Sequence, residues 1–371
     1  MQKKHIALVS NYSWTIYRFR LNLAKHLIKL GHDVTVIAPK EEHTKYIIEA
    51  GCKFVACKVS SKSTNPIEDA RLYKRLLKIY QDVKPDLVFH YTIKPIIWGG
   101  LAAKKANVKS IAVTTGLGYV FIKNNLISKI AKRLYKKALE GSLQVWFLNE
   151  HDRERFVNAN IIQHSKSLVI PGEGIDLKGF EKSSPAKNEI FTFLYFGRML
   201  WVKGLKELID AQNILKKQTN IKFQVHLLGF LDWDNPSSIS KEQILKWEAA
   251  NYAKYLGSTD DIKSEIEKVH CVVLPSYSEG VPMSLMEAAA LQIPIIATNI
   301  EGCNDIVVDQ HNGFLCQTKN AQDLADKMEK MLLLNDQQRA KMGENGRQLL
   351  EEKFDQNIVF KFYEKAIATW V

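Results

Sequence analysis

Short apolar runs alternate with longer amphipathic stretches along almost the whole chain. The short runs are typical of strands buried on both faces, and the longer stretches repeat apolar residues at helical spacing. This alternation predicts βαβ units with parallel sheets covered on both faces. In the first half, the predicted strands are 6–9, 33–38, 53–57, 87–89, 110–113, 144–147 and 168–170, and the predicted helices are 18–30, 42–50, 66–82, 95–106, 125–139 and 150–158.

The alternation is interrupted once, by Pro171-Gly172-Glu173-Gly174 and a polar stretch at 183–188, which together predict a linker. The pattern therefore predicts an α/β protein of two Rossmann-like, doubly wound domains, residues 1–180 and 188–353. Ligands of such sheets bind beyond the carboxyl ends of the strands, so we expect the site in a cleft where the domains face each other. In the second half, the predicted strands are 191–196, 223–228, 271–274 and 294–297, and the predicted helices are 203–217, 239–250, 261–268, 282–291, 320–333, 336–351 and 354–370.

Charge is distributed unevenly over the 371 residues, whose net charge is +12. Residues 1–180 hold 30 lysines and arginines against 14 aspartates and glutamates, a balance of +16, whereas residues 181–371 carry −4. A basic first half predicts an anionic partner, for which nucleic acid, an anionic membrane surface and a phosphorylated substrate all qualify. The sequence has no apolar run of the ~18 residues that a membrane span needs, and its five cysteines fit reduced thiols in a cytoplasm.

Two common site types are not favoured. A dinucleotide-binding domain carries glycines after its first strand, but here Ser10, Asn11 and Tyr12 follow that strand. The pair Asp232 and Asp234 resembles a metal-holding motif, yet it lies in a polar loop where aspartate is favoured by turn hydrogen bonds. We therefore expect neither a nicotinamide cofactor nor a metal.

A candidate diphosphate site opens the second domain. A predicted strand ends at Gly197-Arg198, and Lys203 stands at the start of the next predicted helix. A guanidinium, a lysine and helical N–H groups at one strand-to-helix junction suit a diphosphate. The alternative is that Arg198 pairs with a neighbouring carboxylate and Lys203 is solvated.

A pair of glutamates provides the most specific signal. Glu279 lies in the loop after a buried strand, and Glu287 lies about two turns into the following helix. Carboxylates accept two hydrogen bonds from vicinal hydroxyls, so one can hold a ribose and the other a hexose. The connecting loop contributes the candidate donor-binding residues Gly280, Val281, Pro282 and Met283.

With these residues in place, the whole chain resembles the retaining glycosyltransferases of family 4, a GT-B type family. The resemblance implies that Glu279 lies against the donor sugar and that Glu287 binds the ribose. It also implies that Arg198 and Lys203 bind the donor diphosphate and stabilise the leaving group without a metal or other cofactor, and that Gly197 adjoins the donor. In this family the C-terminal helix, here 354–371, packs back on the first domain.

Segments 17–20, 91–95 and 115–121 are similar to the subgroup that extends undecaprenyl-diphosphate-linked sugars. Many family members carry a sugar-binding histidine after the strand that here ends near Val113, but this chain has Thr114-Thr115-Gly116, so no catalytic histidine is assigned. His90, a lone histidine at a strand end, is interpreted as structural. The candidate acceptor-binding residues are Tyr17, Arg18, Arg20, Lys94, Gly116 and Gly118.

The combined prediction is a retaining hexosyltransferase that moves an N-acetylhexosamine or a hexose from a UDP-sugar to a polyprenyl-diphosphate-linked saccharide during assembly of bacterial surface polysaccharide or glycoprotein glycans. It predicts a cytoplasmic protein bound peripherally to the inner face of the plasma membrane, with an anionic membrane as partner and no nucleic acid. The alternatives are a nucleotide-sugar 2-epimerase of the same architecture and a basic protein that binds membrane or nucleic acid.

Overall fold

The computed structural model describes residues 2–59, 65–116, 126–183, 188–232, 235 and 237–371. The chain divides into two compact units, Met1–Glu173 with Gln356–Val371 and Gly174–Asp355. The first unit thus ends before residue 180, and the second begins before residue 188. Part of the expected linker packs on the second unit, because the Ser183 hydroxyl donates to Glu267 at 2.6 Å and the Asn188 amide donates to the carbonyl of Lys268, also at 2.6 Å.

The first unit is built on one parallel sheet of seven strands in the order β3-β2-β1-β4-β5-β6-β7. Its strands are β1 His5–Val9, β2 Asp33–Ala38, β3 Lys53–Ala56, β4 Leu87–Tyr91, β5 Lys109–Thr114, β6 Gln144–Phe147 and β7 Ser167–Val169. Its helices before the crossover to the second unit are α1 Ser13–Lys29, α2 Thr44–Glu49, α3 Pro66–Val83, α4 Gly100–Ala106, α5 Leu126–Leu139 and α6 Glu150–Asn158.

The second unit repeats this plan with a parallel sheet in the order β10-β9-β8-β11-β12-β13. Its strands are β8 Phe191–Phe196, β9 Phe223–Leu228, β10 Lys254–Tyr255, β11 Cys271–Leu274, β12 Ile295–Thr298 and β13 Gly313–Cys316. Its helices are α7 Leu205–Gln218, α8 Lys241–Ala249, α9 Ile262–Ile266, α10 Met283–Ala290, α11 Ala321–Leu333 and α12 Asp336–Lys353.

Each sheet has a switch point, where two adjacent strands are followed by connections that run in opposite directions. The chain moves outward from β1 through β2 to β3 and then returns to β4 on the other side of β1, and β8 and β11 repeat this arrangement. Loops that leave the carboxyl ends of two such strands diverge and leave a crevice, which is where ligands of open α/β sheets bind. The fold therefore directs attention to the loops after β1 and β4 and after β8 and β11.

The last helix, α13 Gln356–Trp370, belongs to the first unit. His26 of α1 hydrogen-bonds Glu364 at 2.7 Å and stacks on Phe360 with ring centroids 4.7 Å apart. Tyr363 is fully buried between Phe89 and Trp146, whose ring centroids lie 4.8 and 4.9 Å from its own. The apolar spacing of this segment therefore reports a helix with one side buried.

Several elements differ from the sequence-based prediction. Helix α1 begins at Ser13 rather than at residue 18, and the predicted helix 95–106 consists of a π-helix, Pro95–Gly99, followed by α4. Strands β10 and β13 were not predicted, because Lys254–Tyr255 is too short to give a pattern and Gly313–Cys316 begins with a glycine.

In helix α5, apolar residues recur at helical spacing at Ile127, Ile130, Ala131, Leu134 and Ala138, a pattern that predicts one buried face; for Ile130 this prediction is wrong. Half of the Ile130 side chain is exposed, while Tyr135, Ala138 and Leu139 are buried. The buried stripe is centred on Tyr135, a residue that the prediction did not place on the apolar face, so the stripe is rotated around the helix and Ile130 faces outward.

Candidate active site

The second unit brings the candidate donor-binding residues to its switch point. Gly197 and Arg198 follow β8, Lys203 ends a short 3₁₀ turn, and Glu279 follows β11. Because β8 and β11 pair directly, these two loops leave neighbouring positions on one edge of the sheet. Residues far apart in sequence are thus placed together by strand order alone.

Lys203 and Glu279 form an ion pair across the two loops. The Lys203 Nζ lies 2.6 Å from the Glu279 Oε1, and the two side chains are 17% and 10% exposed. Lys203 is therefore not a solvated surface lysine, as the alternative interpretation had it. The pair leaves a partly shielded cation and carboxylate side by side at the mouth of the sheet, where both reach solvent.

Arg198 has the more open environment of the two cations. Its side chain is 49% exposed and its Nη1 lies 3.8 Å from the Asp232 Oδ2, at the outer limit of an ion pair. Such a loose, exposed contact contributes little to stability, roughly 0–1 kcal/mol. The guanidinium is therefore free to take a stronger anionic partner, and a phosphate accepts its hydrogen bonds better than a distant carboxylate does.

Three glycines fix the loops of this site against one another. An added Cβ at Gly204 would meet the carbonyl oxygen of Pro275 at 1.9 Å, and one at Gly302 would meet that of Gly280 at 1.6 Å. Both glycines have positive φ, +74° and +83°, which other residues rarely adopt. A Cβ at Gly229 would similarly meet the Gly197 carbonyl oxygen at 1.8 Å. The backbones of the donor loops are thus in close contact, and side chains on them are held in fixed positions.

The sequence analysis did not single out Gly229 or Gly302. Each lies within a few residues of the end of a predicted strand in the second domain. A glycine at such a position was the signal that could have identified them. Tyr195 was also missed. Its hydroxyl donates to the Arg198 carbonyl at 2.7 Å, which fixes the backbone that carries the guanidinium.

Glu279 and Glu287 occupy different environments. Pro282 is the N-cap of α10 and provides no side-chain cap, and Val281 is buried beside it. Met283 is the first residue of α10, and Glu287 lies one turn later with only 2% of its surface exposed. A carboxylate so deeply buried is stable only with polar partners.

Buried groups beside the Lys203–Glu279 pair titrate outside the physiological range. Burial, together with the negative charge of Glu279, raises the pKa of the Tyr195 phenol and the Cys303 thiol well above their ordinary values. Both groups therefore stay protonated and neutral at pH 7. The charged groups available for chemistry at this edge are Arg198, Lys203 and the carboxylates.

In the first unit, two of the candidate acceptor cations already have carboxylate partners. The Lys94 Nζ lies 2.7 Å from the Asp69 Oδ1, with the two side chains 12% and 16% exposed. Arg20 is 2% exposed and pairs with Glu173. Neither side chain is a solvated cation, and its carboxylate partner makes direct contact with an acceptor diphosphate less favourable.

The remaining described acceptor candidates lie on α1 and after β5. Tyr17, on α1, stacks on Tyr46 with ring centroids 5.0 Å apart, and Arg18 follows it with its side chain partly exposed. Gly116 follows β5 with φ +132°, and among the described residues no atom lies within 4 Å of where its Cβ would stand. Gly118 lies outside the described residues.

His90 has a structural environment, as the sequence interpretation held. It is fully buried at the end of β4, and its Nε2 lies 2.8 Å from the Tyr80 hydroxyl. Burial lowers its pKa to about 3. An imidazole that stays neutral and inaccessible at pH 7 is unsuited to proton transfer with a substrate.

Asp232 takes part in a turn and faces Arg198. Its backbone carbonyl accepts from the Asn235 amide at 2.8 Å, a turn hydrogen bond, and its carboxylate faces Arg198. Asp234 lies outside the described residues. Within the described ranges, no three acidic, histidine or cysteine side chains are grouped so as to bind a metal ion.

Comparisons with known proteins agree with this geometry. Residues 178–349 match the family described as "Glycosyl transferases group 1", and residues 5–149 match "Glycosyl transferase 4-like". The chain is 31% identical, over 97% of both lengths, to the N,N'-diacetylbacillosaminyl-diphospho-undecaprenol alpha-1,3-N-acetylgalactosaminyltransferase of Campylobacter jejuni. The chain therefore belongs to the same glycosyltransferase family as this enzyme. The predicted transferase class is thereby confirmed.

More distant relatives and solved structures extend the comparison. The Escherichia coli UDP-Gal:alpha-D-GlcNAc-diphosphoundecaprenol alpha-1,3-galactosyltransferase is 26% identical over 68% of this chain and 67% of its own. Anabaena HepE, solved in complex with UDP, superposes with a TM-score of 0.81 at 18% identity, covering 99% of this chain and 100% of its own. A Rickettsia africae glycosyltransferase superposes at 0.80 with 21% identity, covering 98% of each chain. The predicted GT-B class with two Rossmann-like domains is confirmed, and the 2-epimerase alternative is not favoured.

Proposed function

We propose that this glycosyltransferase moves one sugar, an N-acetylhexosamine or a hexose, from a UDP-sugar to a polyprenyl-diphosphate-linked saccharide in bacterial polysaccharide or glycan assembly. The observation that carries the proposal is the placement of Arg198, Lys203 and Glu279 on the two loops of the second switch point. The C. jejuni and E. coli relatives, both named for undecaprenyl-diphosphate-linked acceptors, support the acceptor class. UDP in the HepE structure and UDP-Gal in the E. coli name support the donor class.

In this proposal, the charges of the second unit act on the departing nucleotide. The bond between the sugar C1 and the β-phosphate oxygen breaks while an acceptor hydroxyl oxygen bonds to C1 from the same face. The hydroxyl proton passes to the leaving phosphate oxygen. Arg198 and Lys203 stabilise the charge that develops on the diphosphate, so the step needs no metal. Glu279 orients both the Lys203 ammonium and the sugar, and Glu287 holds the ribose.

We also propose that the first unit docks on an anionic membrane through the outward face of α5. Lys129, Arg133, Lys136 and Lys137 are exposed, and Ile130 stands among them with half of its side chain in solvent. Cations near an anionic surface contribute about 1 kcal/mol each, and an exposed apolar residue among them suits the boundary between headgroups and acyl chains. Within the described ranges, no helix is both long and apolar enough to cross a bilayer.

Turnover with defined substrates tests the donor and acceptor assignment. Purified enzyme is incubated with UDP-N-acetylgalactosamine, UDP-N-acetylglucosamine, UDP-galactose or UDP-glucose, together with a synthetic undecaprenyl-diphospho-saccharide. Mass spectrometry should show the acceptor gaining one sugar residue, with EDTA leaving the rate nearly unchanged. A protein that instead converts a UDP-sugar to its epimer without acceptor, or that requires a divalent metal, would contradict the proposal.

Vesicle sedimentation tests the membrane surface. Binding to anionic vesicles should exceed binding to neutral ones and weaken with salt. The quadruple variant Lys129→Glu, Arg133→Glu, Lys136→Glu, Lys137→Glu should abolish it, and Ile130→Ser should weaken it at every salt concentration. A matched control reverses four exposed lysines of the second unit, Lys217, Lys222, Lys241 and Lys246. Equal loss of binding in the control would mean that net charge, rather than this helix face, attracts the vesicles.

A further inference from the structure

A buried charged cluster lies at the switch point of the first unit. The Arg20 guanidinium pairs with Glu173 and stacks on the Tyr91 ring, with its carbon 3.9 Å from the ring centroid. The Tyr91 hydroxyl in turn donates to the hydroxyl of Tyr363 at 3.1 Å. Three segments, namely α1, the end of β4 and the segment after β7, therefore meet at one guanidinium, and α13 joins them through Tyr91.

Burial makes this ion pair costly for the fold. The Arg20 and Glu173 side chains are 3% and 10% exposed, and the buried Arg20 Nε has no hydrogen-bond partner among the residues that the structure describes. Burial also raises the pKa of Glu173. Removing two charges from water costs several kcal/mol per ion, and a well-packed apolar pair of similar volume is often as stable. Stability alone is therefore a poor reason for these two residues.

The local backbone is shaped to bring Glu173 inward. Gly172 and Gly174 on either side of it have φ of +64° and +73°, values that a residue with a Cβ rarely adopts. With a glycine in the left-handed conformation on each side of Glu173, the chain can turn so that the Glu173 side chain points into the protein. The segment Gly172-Glu173-Gly174 is thus built around this contact.

Arg20 also contacts the first turn of α1, and Thr15 links that turn to the residues that follow β1. The Arg20 Nη1 donates to the Thr15 carbonyl at 3.1 Å, and the Thr15 hydroxyl lies 2.6 Å from the Ser10 hydroxyl and donates to the Tyr12 carbonyl at 2.8 Å. Residues 10–15, here called the Ser10–Thr15 loop, comprise the connection after β1 and the first residues of α1, which begins at Ser13. Among side chains, the planar and charged guanidinium of arginine is the one that can donate to a carbonyl and a carboxylate while it stacks on an aromatic ring.

We infer that Arg20 and Glu173 are positioning residues, whose buried ion pair fixes the Ser10–Thr15 loop and the first turns of α1 as a wall of the acceptor site. In this role Arg20 does not touch the acceptor itself; it orients the part of α1 that carries Tyr17 and Arg18. The statement about the acceptor rests on the proposed function, whereas the statement about the loop does not.

Two variants separate positioning from packing. Arg20→Met with Glu173→Met removes both charges at similar volume, and Glu173→Gln removes one charge while keeping the volume and hydrogen-bonding capacity. The matched control is His26→Gln with Glu364→Gln, a partly exposed contact between α1 and α13. All are compared with the wild type by hydrogen exchange of peptides covering residues 10–19 and by separate KM values for donor and acceptor.

The inference predicts that loop amides exchange about tenfold faster in both test variants, while β1 and the control variant keep wild-type protection. The acceptor KM should rise about tenfold with the donor KM unchanged, since only the first unit is altered. Unchanged loop exchange in either folded test variant would overturn the positioning role. Faster exchange with an unchanged acceptor KM would overturn the link to the acceptor site. If the double variant does not fold, Glu173→Gln decides both points.

A wild-type enzyme that ignores every polyprenyl-linked acceptor would refute the proposed function separately. The exchange measurement needs no acceptor, so it still decides whether the ion pair fixes the loop.

Discussion

The two switch points of this glycosyltransferase use the same elements in opposite ways. Each lies beyond two central parallel strands, β1 and β4 or β8 and β11, and each has a cation paired with a glutamate. In the first unit the pair is Arg20 with Glu173, sealed inside the protein; in the second it is Lys203 with Glu279, and the lysine keeps access to solvent. The exposure of the cation thus distinguishes a charge that shapes the fold from one that can meet a ligand.

The comparison also revises the meaning of the basic first half. Net charge suggested an anionic ligand there, yet Arg20 and Lys94 are neutralised by internal carboxylates. Four exposed cations of the first unit instead lie together on α5, away from the β1 and β4 loops in sequence. A count of charges along the chain gives only the composition. Whether a charged side chain is available to a ligand depends on the groups that it already pairs with.

Removing the buried cation should have the largest effect on stability. Arg20→Met leaves the Glu173 carboxylate buried without its partner, which should lower the free energy of unfolding by about 3–5 kcal/mol. The measurement is chemical denaturation, with Lys203→Met as the matched variant at the second switch point, where a smaller loss is expected. Equal losses for the two variants would remove the distinction between the pairs.

Removing the accessible cations should instead lower the rate. Arg198→Ala or Lys203→Ala should reduce kcat about 10²–10³-fold, because each takes away a stabiliser of developing phosphate charge. Lys206→Ala is the control, an exposed lysine nearby on α7 that pairs with Asp210. Near-normal turnover in both test variants, with folding intact, would exclude a diphosphate site at this switch point.

The two glutamates of the second unit should separate binding from chemistry. Glu279→Gln loosens both Lys203 and the reacting sugar, so kcat should fall more than donor affinity does. Glu287→Gln should raise the donor KM with a smaller effect on kcat, because a ribose contact is made in the ground and transition states alike. Steady-state kinetics with varied donor shows which assignment holds. A reversed pattern would exchange the two roles.

A further prediction concerns His90, on the switch strand β4. Its pKa of about 3 in the folded protein lies below the ordinary value of 6.5, so the unfolded chain binds the proton more readily between these values. Stability therefore falls as the pH drops below about 6.5, with this residue contributing at most about 1.4 kcal/mol per pH unit. Denaturation between pH 4 and 8 should show a shallower acid loss for His90→Gln than for the wild type. An equal dependence of stability on pH in the wild type and in His90→Gln would contradict the lowered pKa of His90.

The sequence predicted what depends on short-range patterns. Strand and helix alternation, the position of Lys203 at a helix start and the spacing from Glu279 to Glu287 are local features, and they led to the second switch point. The partner of Arg20 could not be predicted in the same way. Glu173 lies 153 positions away in the sequence, and no local pattern around either residue indicates that the two side chains pair. The outward position of Ile130 also depends on how α5 packs against its neighbours. The spacing of apolar residues does not fix the rotation of a helix about its own axis to better than a fraction of a turn.

Calorimetric titration tests the central claim most directly. The claim is that the second switch point binds the donor through its diphosphate, so the wild type should bind UDP much more tightly than uridine. Lys203→Ala should lose most of that preference while its uridine affinity and its fold stay unchanged, and Lys206→Ala should behave as the wild type. A Lys203→Ala protein that keeps the full preference for UDP over uridine would contradict the account.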